Sequence, residues 1–129
     1  MAGRFLLDTN IVIALFAQEA SVQARLPQAE AVFLAAIVLG ELYYGARRST
    51  KAQANLTRID ELATSTSVLP CDLGTAQQYG MIKDSLRARG RPLPENDIWV
   101  AAIARQHALT LVTRDEHFKE VEGLQLARW

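Results

Sequence analysis

Apolar residues along this chain fall into short runs, each closed by a polar stop, and the runs alternate with stretches of helical spacing. Arg4-Phe5-Leu6-Leu7 stops at Asp8-Thr9-Asn10, and Leu109-Thr110-Leu111-Val112-Thr113 stops at Arg114-Asp115. Such runs predict buried parallel strands, which are covered on both faces and need no alternation of apolar and polar residues. Ala31 to Val38 predicts a second strand, Ser67 to Pro70 a short one, and Leu124 to Ala127 an edge strand. Between them, Asn10 to Ala17 predicts a largely buried helix, with Thr9 or Asn10 placed to cap it. A short helix over Glu19 to Leu26 is stopped by Pro27, and Leu39 to Arg48 forms the next. A polar turn from Ser49 to Asn55 leads into a helix over Gln53 to Thr64. Asp72 caps a long helix, Leu73 to Arg89, which Gly90 ends before an extended loop with Pro92 and Pro94. Asn96 or Asp97 opens the last helix, whose core residues are Ile98, Val100, Ala101, Ile103 and Ala104. Strands alternating with helices predict an α/β sandwich on a mainly parallel sheet.

Ligands bind in open α/β sheets in the crevice beyond the carboxyl ends of the strands. Four carboxylates belong at that edge: Asp8 and Asp115 at strand ends, Glu41 and Asp97 near helix N-termini. At about 5 Å and an effective dielectric of about 20, each like-charge pair costs about 3 kcal/mol. The cluster therefore needs raised pKa values or a hard divalent cation, and an oxygen-only donor set suits Mg²⁺ or Mn²⁺ over Zn²⁺. Taken singly, Asp97 and Asp115 also fit as helix caps, and Glu41 as a solvated first-turn acid favoured by the helix dipole. Asp8 follows Phe5-Leu6-Leu7 at a buried strand end, where a charge needs a partner.

Composition narrows the rest. A chain of 129 residues, half of them apolar, predicts a single domain over residues 1–129 with a real core. Fourteen acids balance fourteen bases, so no global field marks a polyanion-coating protein. The single cysteine, Cys71, fits a reducing compartment and reads as a half-buried hydrophobe. Met1-Ala2-Gly3-Arg4 runs straight into the first strand without a leader, and no apolar run approaches a membrane span, so a cytoplasmic protein is expected.

Leu7-Asp8-Thr9-Asn10, Gly40-Glu41-Leu42 with Gly45, Asn96-Asp97 with Ala101-Ala102, and Leu111-Val112-Thr113-Arg114-Asp115 together resemble the PIN-domain ribonucleases. The nearest likeness is to the VapC-type toxins of bacterial toxin–antitoxin modules; it spans essentially the whole chain and includes the tail through Glu116-His117-Phe118. The resemblance implies a PIN-like three-layer α/β/α sandwich and Mg²⁺- or Mn²⁺-dependent endoribonuclease activity. It also implies a homodimer held inactive by a cognate VapB-type antitoxin. Asp8, Glu41, Asp97 and Asp115 match the family's four catalytic acids, and Thr113 its neighbouring hydroxyl. On that reading Asp8, Asp97 and Asp115 hold the cation, and Glu41 orients or deprotonates the attacking water. Cleavage then leaves a 5′-phosphate and a 3′-hydroxyl. Thr9, Asn10, Asn96 and Thr113 are candidates for hydrogen bonds that fix the carboxylates, or for simple caps and turns.

An acidic pit repels phosphate, so RNA must be gripped by bases outside it. Arg87, Arg89 and Arg91 flank Gly90; Arg47, Arg48 and Lys51 follow the Glu41 helix; Arg114 adjoins Asp115. Each cluster equally fits cations meeting the dipole at a helix C-terminus. His107 and His117 have no convincing catalytic pairing and read as surface or turn residues; Tyr43, Tyr44, Tyr79 and Trp99 read as packing or dimer contacts. Among rival readings, a haloacid-dehalogenase-type phosphatase wants an acid where Asn10 stands, and a receiver domain wants adjacent acids after the first strand. The main alternative is a non-catalytic RNA- or protein-binding module on the same fold.

Overall fold

The computed structural model describes residues 3–129; Met1 and Ala2, part of the basis for expecting no leader, lie outside them. Five strands form one sheet of order β3-β2-β1-β4-β5, parallel throughout. They are β1 (Arg4–Leu7), β2 (Ala31–Ala35), β3 (Ser67–Leu69), β4 (Thr110–Val112) and β5 (Leu126–Ala127). Leu6 of β1 lies opposite Phe33 on one side and Leu111 on the other, so β1 is the centre of the sheet. Chain order runs outward from β1 to β2 and β3, then reverses to β4 and β5, making the crevice between β1 and β4 the topological switch point.

The flanking helices are α1 (Thr9–Phe16), α2 (Ala20–Arg25), α3 (Ala36–Arg47), α4 (Ala52–Ser65), α5 (Leu73–Ala88) and α6 (Glu95–Gln106). This is the α/β/α sandwich expected from the sequence. The core is the two-sided burial that the unbroken apolar runs demand: Leu6, Leu34, Ala35, Leu111 and Val112 are all sealed from solvent. Five consecutive residues of α6, Val100 to Ala104, are also fully buried. A helix buried on all faces must be apolar all round, and three alanines among these five let its neighbours approach closely. Among the described residues no helix is long and apolar enough to cross a membrane.

Helix ends follow their local chemistry. Asp72 and Thr75 form a reciprocal capping box at the start of α5. At its other end Gly90, at φ +66°, lets the Arg91 N–H reach back to the Leu86 carbonyl. Several boundaries differ from expectation. Asp8 itself caps α1, its Oδ1 accepting from the Thr9 N–H at 2.9 Å, in place of Thr9 or Asn10. Pro27 falls inside a short 3-10 turn that continues α2. The β2 strand stops at Ala35 and α3 begins at Ala36, three residues earlier than predicted, because Ala36-Ile37-Val38-Leu39 is equally apolar as strand or buried helix. Finally, α6 opens at Glu95 behind Pro94, whose fixed φ suits the entry to a helix.

Cys71 is exposed rather than half-buried, since it sits in the link between β3 and α5. Trp129 packs edge-on against Phe5 with ring centroids 5.2 Å apart.

Candidate active site

The switch point places one acid at the very end of the central strand. Asp8 follows Leu7, and its own N–H continues the ladder to the Val112 carbonyl of β4 at 2.9 Å. Its carboxylate is buried, with Oδ1 on the Thr9 N–H and Oδ2 accepting from the Thr113 hydroxyl at 2.7 Å. The Asn10 amide adds a longer contact of 3.4 Å to Oδ2. Thr113 also accepts the Asp115 N–H at 3.0 Å, so one hydroxyl ties the acid after β1 to the turn after β4. Asp115 stands three residues beyond the end of β4, where it leads into a 3-10 turn, Glu116–Glu120.

Glu41 is the sixth residue of α3, not a first-turn acid as the sequence suggested, because the helix starts early. Its Oε1 accepts from the Thr9 hydroxyl at 2.7 Å. Asp97 lies in the first turn of α6. Asp8, Glu41, Asp97 and Asp115 line a single open cavity of about 600 Å³, together with Thr9, Asn10, Asn96, Ile13, Pro94 and Glu95. Glu95 went unnoticed in the sequence; it is held outward by Lys83 at 3.0 Å and by the Tyr79 hydroxyl.

Charge is poorly balanced inside this pit. Burial pushes the Asp8 carboxyl above its ordinary value, against the pull of its Thr113 and Thr9 donors; the nearby Asp115 and Glu41 charges add to the rise. Asp97 is raised as well, first by burial and then by Asp8, while the His117 imidazole pulls it down. Raised carboxylates gathered in a cleft make it a candidate functional site.

His117 lies in the 3-10 turn, as the sequence suggests, but makes a pairing with the acids that the sequence does not show. Its Nε2 lies 2.9 Å from Asp97 Oδ2 and 3.8 Å from Asp115 Oδ2. Asp97, Asp115 and His117 each present a donor atom, all within 4.8 Å of one another. The available signal was the spacing Asp115-Glu116-His117 followed by Phe118, whose full burial anchors the turn that swings the imidazole inward. His107 sits apart, as the C-cap of α6.

None of the predicted arginines lines the cavity. Arg89 pairs with Glu120 and Glu122, and Arg91 with Glu120, joining the end of α5 to the last residue of the 3-10 turn and the segment after it. Arg114 turns to Glu19 at 2.9 Å and to the Trp129 carbonyl, while its N–H is accepted by Asn10 Oδ1. Arg48 lies over the Tyr44 ring and Arg47 in the last turn of α3; Arg87 lies in the last turn of α5. Beside the pit, an apolar groove of about 350 Å³ shares Thr9, Ile13 and Glu41 with it and carries a cation the sequence reading missed, Arg58. That guanidinium stacks on the Phe16 ring at 4.3 Å and donates to the Phe16 carbonyl.

The PIN domain model matches residues 5–124 of this chain. Ribonuclease VapC2 of Haemophilus influenzae is 33% identical over 129 residues, covering 98% of each chain. The tRNA(fMet)-specific endonuclease VapC of Shigella flexneri is 35% identical, again over 98% of both. Among solved structures, VapBC2 from Rickettsia felis bound to a DNA fragment from its promoter superposes with a TM-score of 0.91 at 26% identity, covering 98% of both chains.

Proposed function

The chain belongs to the PIN-domain family, and from that premise we propose that it is a metal-dependent endoribonuclease, the toxin of a toxin–antitoxin pair. By cutting RNA it would inhibit translation and growth. The observation that carries this reading is the convergence of Asp8, Glu41, Asp97 and Asp115 on one cavity at the switch point.

The donor set fits a hard divalent cation. Asp8, Asp97 and Asp115 would hold Mg²⁺ or Mn²⁺, and two of the three are pushed toward protonation without one. A cation held by these residues would supply Lewis acidity toward water and toward the charge developing on the phosphate. The chain's own groups do the rest. Thr9 occupies Glu41 Oε1, which leaves Oε2 to orient the attacking water and accept its proton. Thr113 and Asn10 fix Asp8 in place, and Asn96 lines the cavity beside Asp97. Attack forms a water oxygen–phosphorus bond and breaks the bond to the ribose 3′-oxygen, which leaves as the 3′-hydroxyl; the 5′-phosphate stays on the other fragment.

Arg47, Arg48, Arg87 and Arg114, with Arg89 and Arg91 shared with Glu120 and Glu122, would hold the RNA backbone outside the pit and make binding salt-dependent. The partners are an RNA substrate, a cognate VapB-type antitoxin and a second copy of the chain, working in the cytoplasm. Incubation of the purified protein with total RNA and with initiator tRNA tests the reading. Discrete cuts with Mg²⁺ or Mn²⁺, bearing 5′-phosphates and abolished by EDTA, are expected. Cutting that persists in EDTA, or ends carrying a 2′,3′-cyclic phosphate, contradicts it.

A further inference from the structure

We propose that the His117 imidazole is a direct ligand of the cation held by Asp97 and Asp115, and that it biases the site toward Mn²⁺ over Mg²⁺. The inference rests on the metal-dependent reading above and goes beyond the four acids. Adjacent donors around an octahedral ion with bonds of about 2.1 Å lie about 3.0 Å apart, and opposite donors about 4.2 Å. Nε2 stands 2.9 Å from the Asp97 oxygen and 3.8 Å from the Asp115 oxygen, with all three donors inside 4.8 Å. Nε2 and the Asp97 oxygen stand at the spacing of adjacent donors, and the Asp115 oxygen lies within reach of the same ion.

A second observation concerns the burial of that nitrogen. Nε2 is shut off from solvent, the ring itself being about one-third exposed, and its polar contacts are the ion-pair approaches to the Asp97 and Asp115 oxygens, with no neutral group to satisfy it. A buried polar atom left unpaired in a native fold calls for a missing partner, an ion among them. The ring is held in place by the wholly buried Phe118, tilted against it at 4.9 Å. Imidazole nitrogen suits transition-metal divalents, whereas Mg²⁺ is held by oxygen ligands and water.

The test is electron spin echo spectroscopy of the Mn²⁺-loaded protein, with Mn²⁺ and Mg²⁺ affinities measured by competition. Wild type is expected to show ¹⁴N modulation from a directly bound nitrogen. His117→Gln should lose that modulation and lower the Mn²⁺:Mg²⁺ affinity ratio about tenfold or more. His117→Asp, which restores an oxygen donor, should bind Mn²⁺ without nitrogen modulation and shift preference toward Mg²⁺. Tight Mn²⁺ binding by wild type with no nitrogen modulation overturns the inference and leaves the nuclease reading standing. Failure of wild type to bind either cation overturns both.

Discussion

Asp8 and Asp72 each cap the N-terminus of a helix, accepting a hydrogen bond from the backbone N–H of Thr9 and of Thr75 respectively. Around Asp72 every neighbour is a donor: Gln106 at 2.6 Å, Thr75 through both its N–H and its hydroxyl. The Gln106 amide, with Thr75, holds its carboxyl below the ordinary value. Around Asp8 the donors are outweighed by burial and by Asp115 and Glu41, and its carboxyl is raised. Sequence position and secondary structure are nearly the same in the two places, yet one acid secures a helix and the other stores an unmet demand for positive charge. What distinguishes a functional cap from a structural one is the surplus of acids over donors around it.

The comparison breaks most visibly in activity. Asp8→Asn keeps the cap but removes a charge, and RNA cleavage should fall by more than about 100-fold, beyond the loss expected for a supporting residue. Asp72→Asn should cleave like wild type in the same assay. Thr113→Val removes the hydroxyl joining Asp8 to the Asp115 backbone, and a loss of about 10–100-fold in activity or metal affinity is expected, with a melt about 1–3 kcal/mol less stable. Replacing Asp72 by Ala, by contrast, should lower the melting temperature by several degrees and leave cleavage intact.

The smallest effect is the pH dependence of the metal-free protein, and its sign differs between the two acids. With raised folded pKa values, Asp8 and Asp97 contribute stability that is fully present below the ordinary value of 3.8 and lost as pH rises through the raised ones. Asp72, lowered, contributes stability present above 3.8 and lost as pH falls through its folded value. Urea melts should therefore lose part of their pH dependence above 3.8 in Asp8→Asn, and below 3.8 in Asp72→Ala.

Much of this was legible in the residues. The apolar runs around Leu6 and Leu111 announced the two central strands, and their polar stops announced where chemistry would gather. The boundary between β2 and α3 was not readable, because periodicity cannot divide a continuous apolar run. That one ambiguity displaced Glu41 from the first turn of its helix to the second. His117 was hidden for a different reason. A 3-10 turn has no hydrophobic period to betray it, and the imidazole reaches Asp97 across twenty residues of sequence through tertiary packing of Phe118. The arginines were visible as clusters, but nothing in the sequence told that Arg89 and Arg91 face Glu120 and Glu122. Pairing across the fold is decided by topology, which local composition does not encode.

The central claim is that the acids around Asp8, and not a well-satisfied cap such as Asp72, form a cation site. Calorimetric titration of Mn²⁺ into wild type, Asp8→Asn and Asp72→Ala tests it most directly. The account predicts saturable binding to wild type and Asp72→Ala, and its loss in Asp8→Asn. Equal binding by Asp8→Asn and wild type would contradict it.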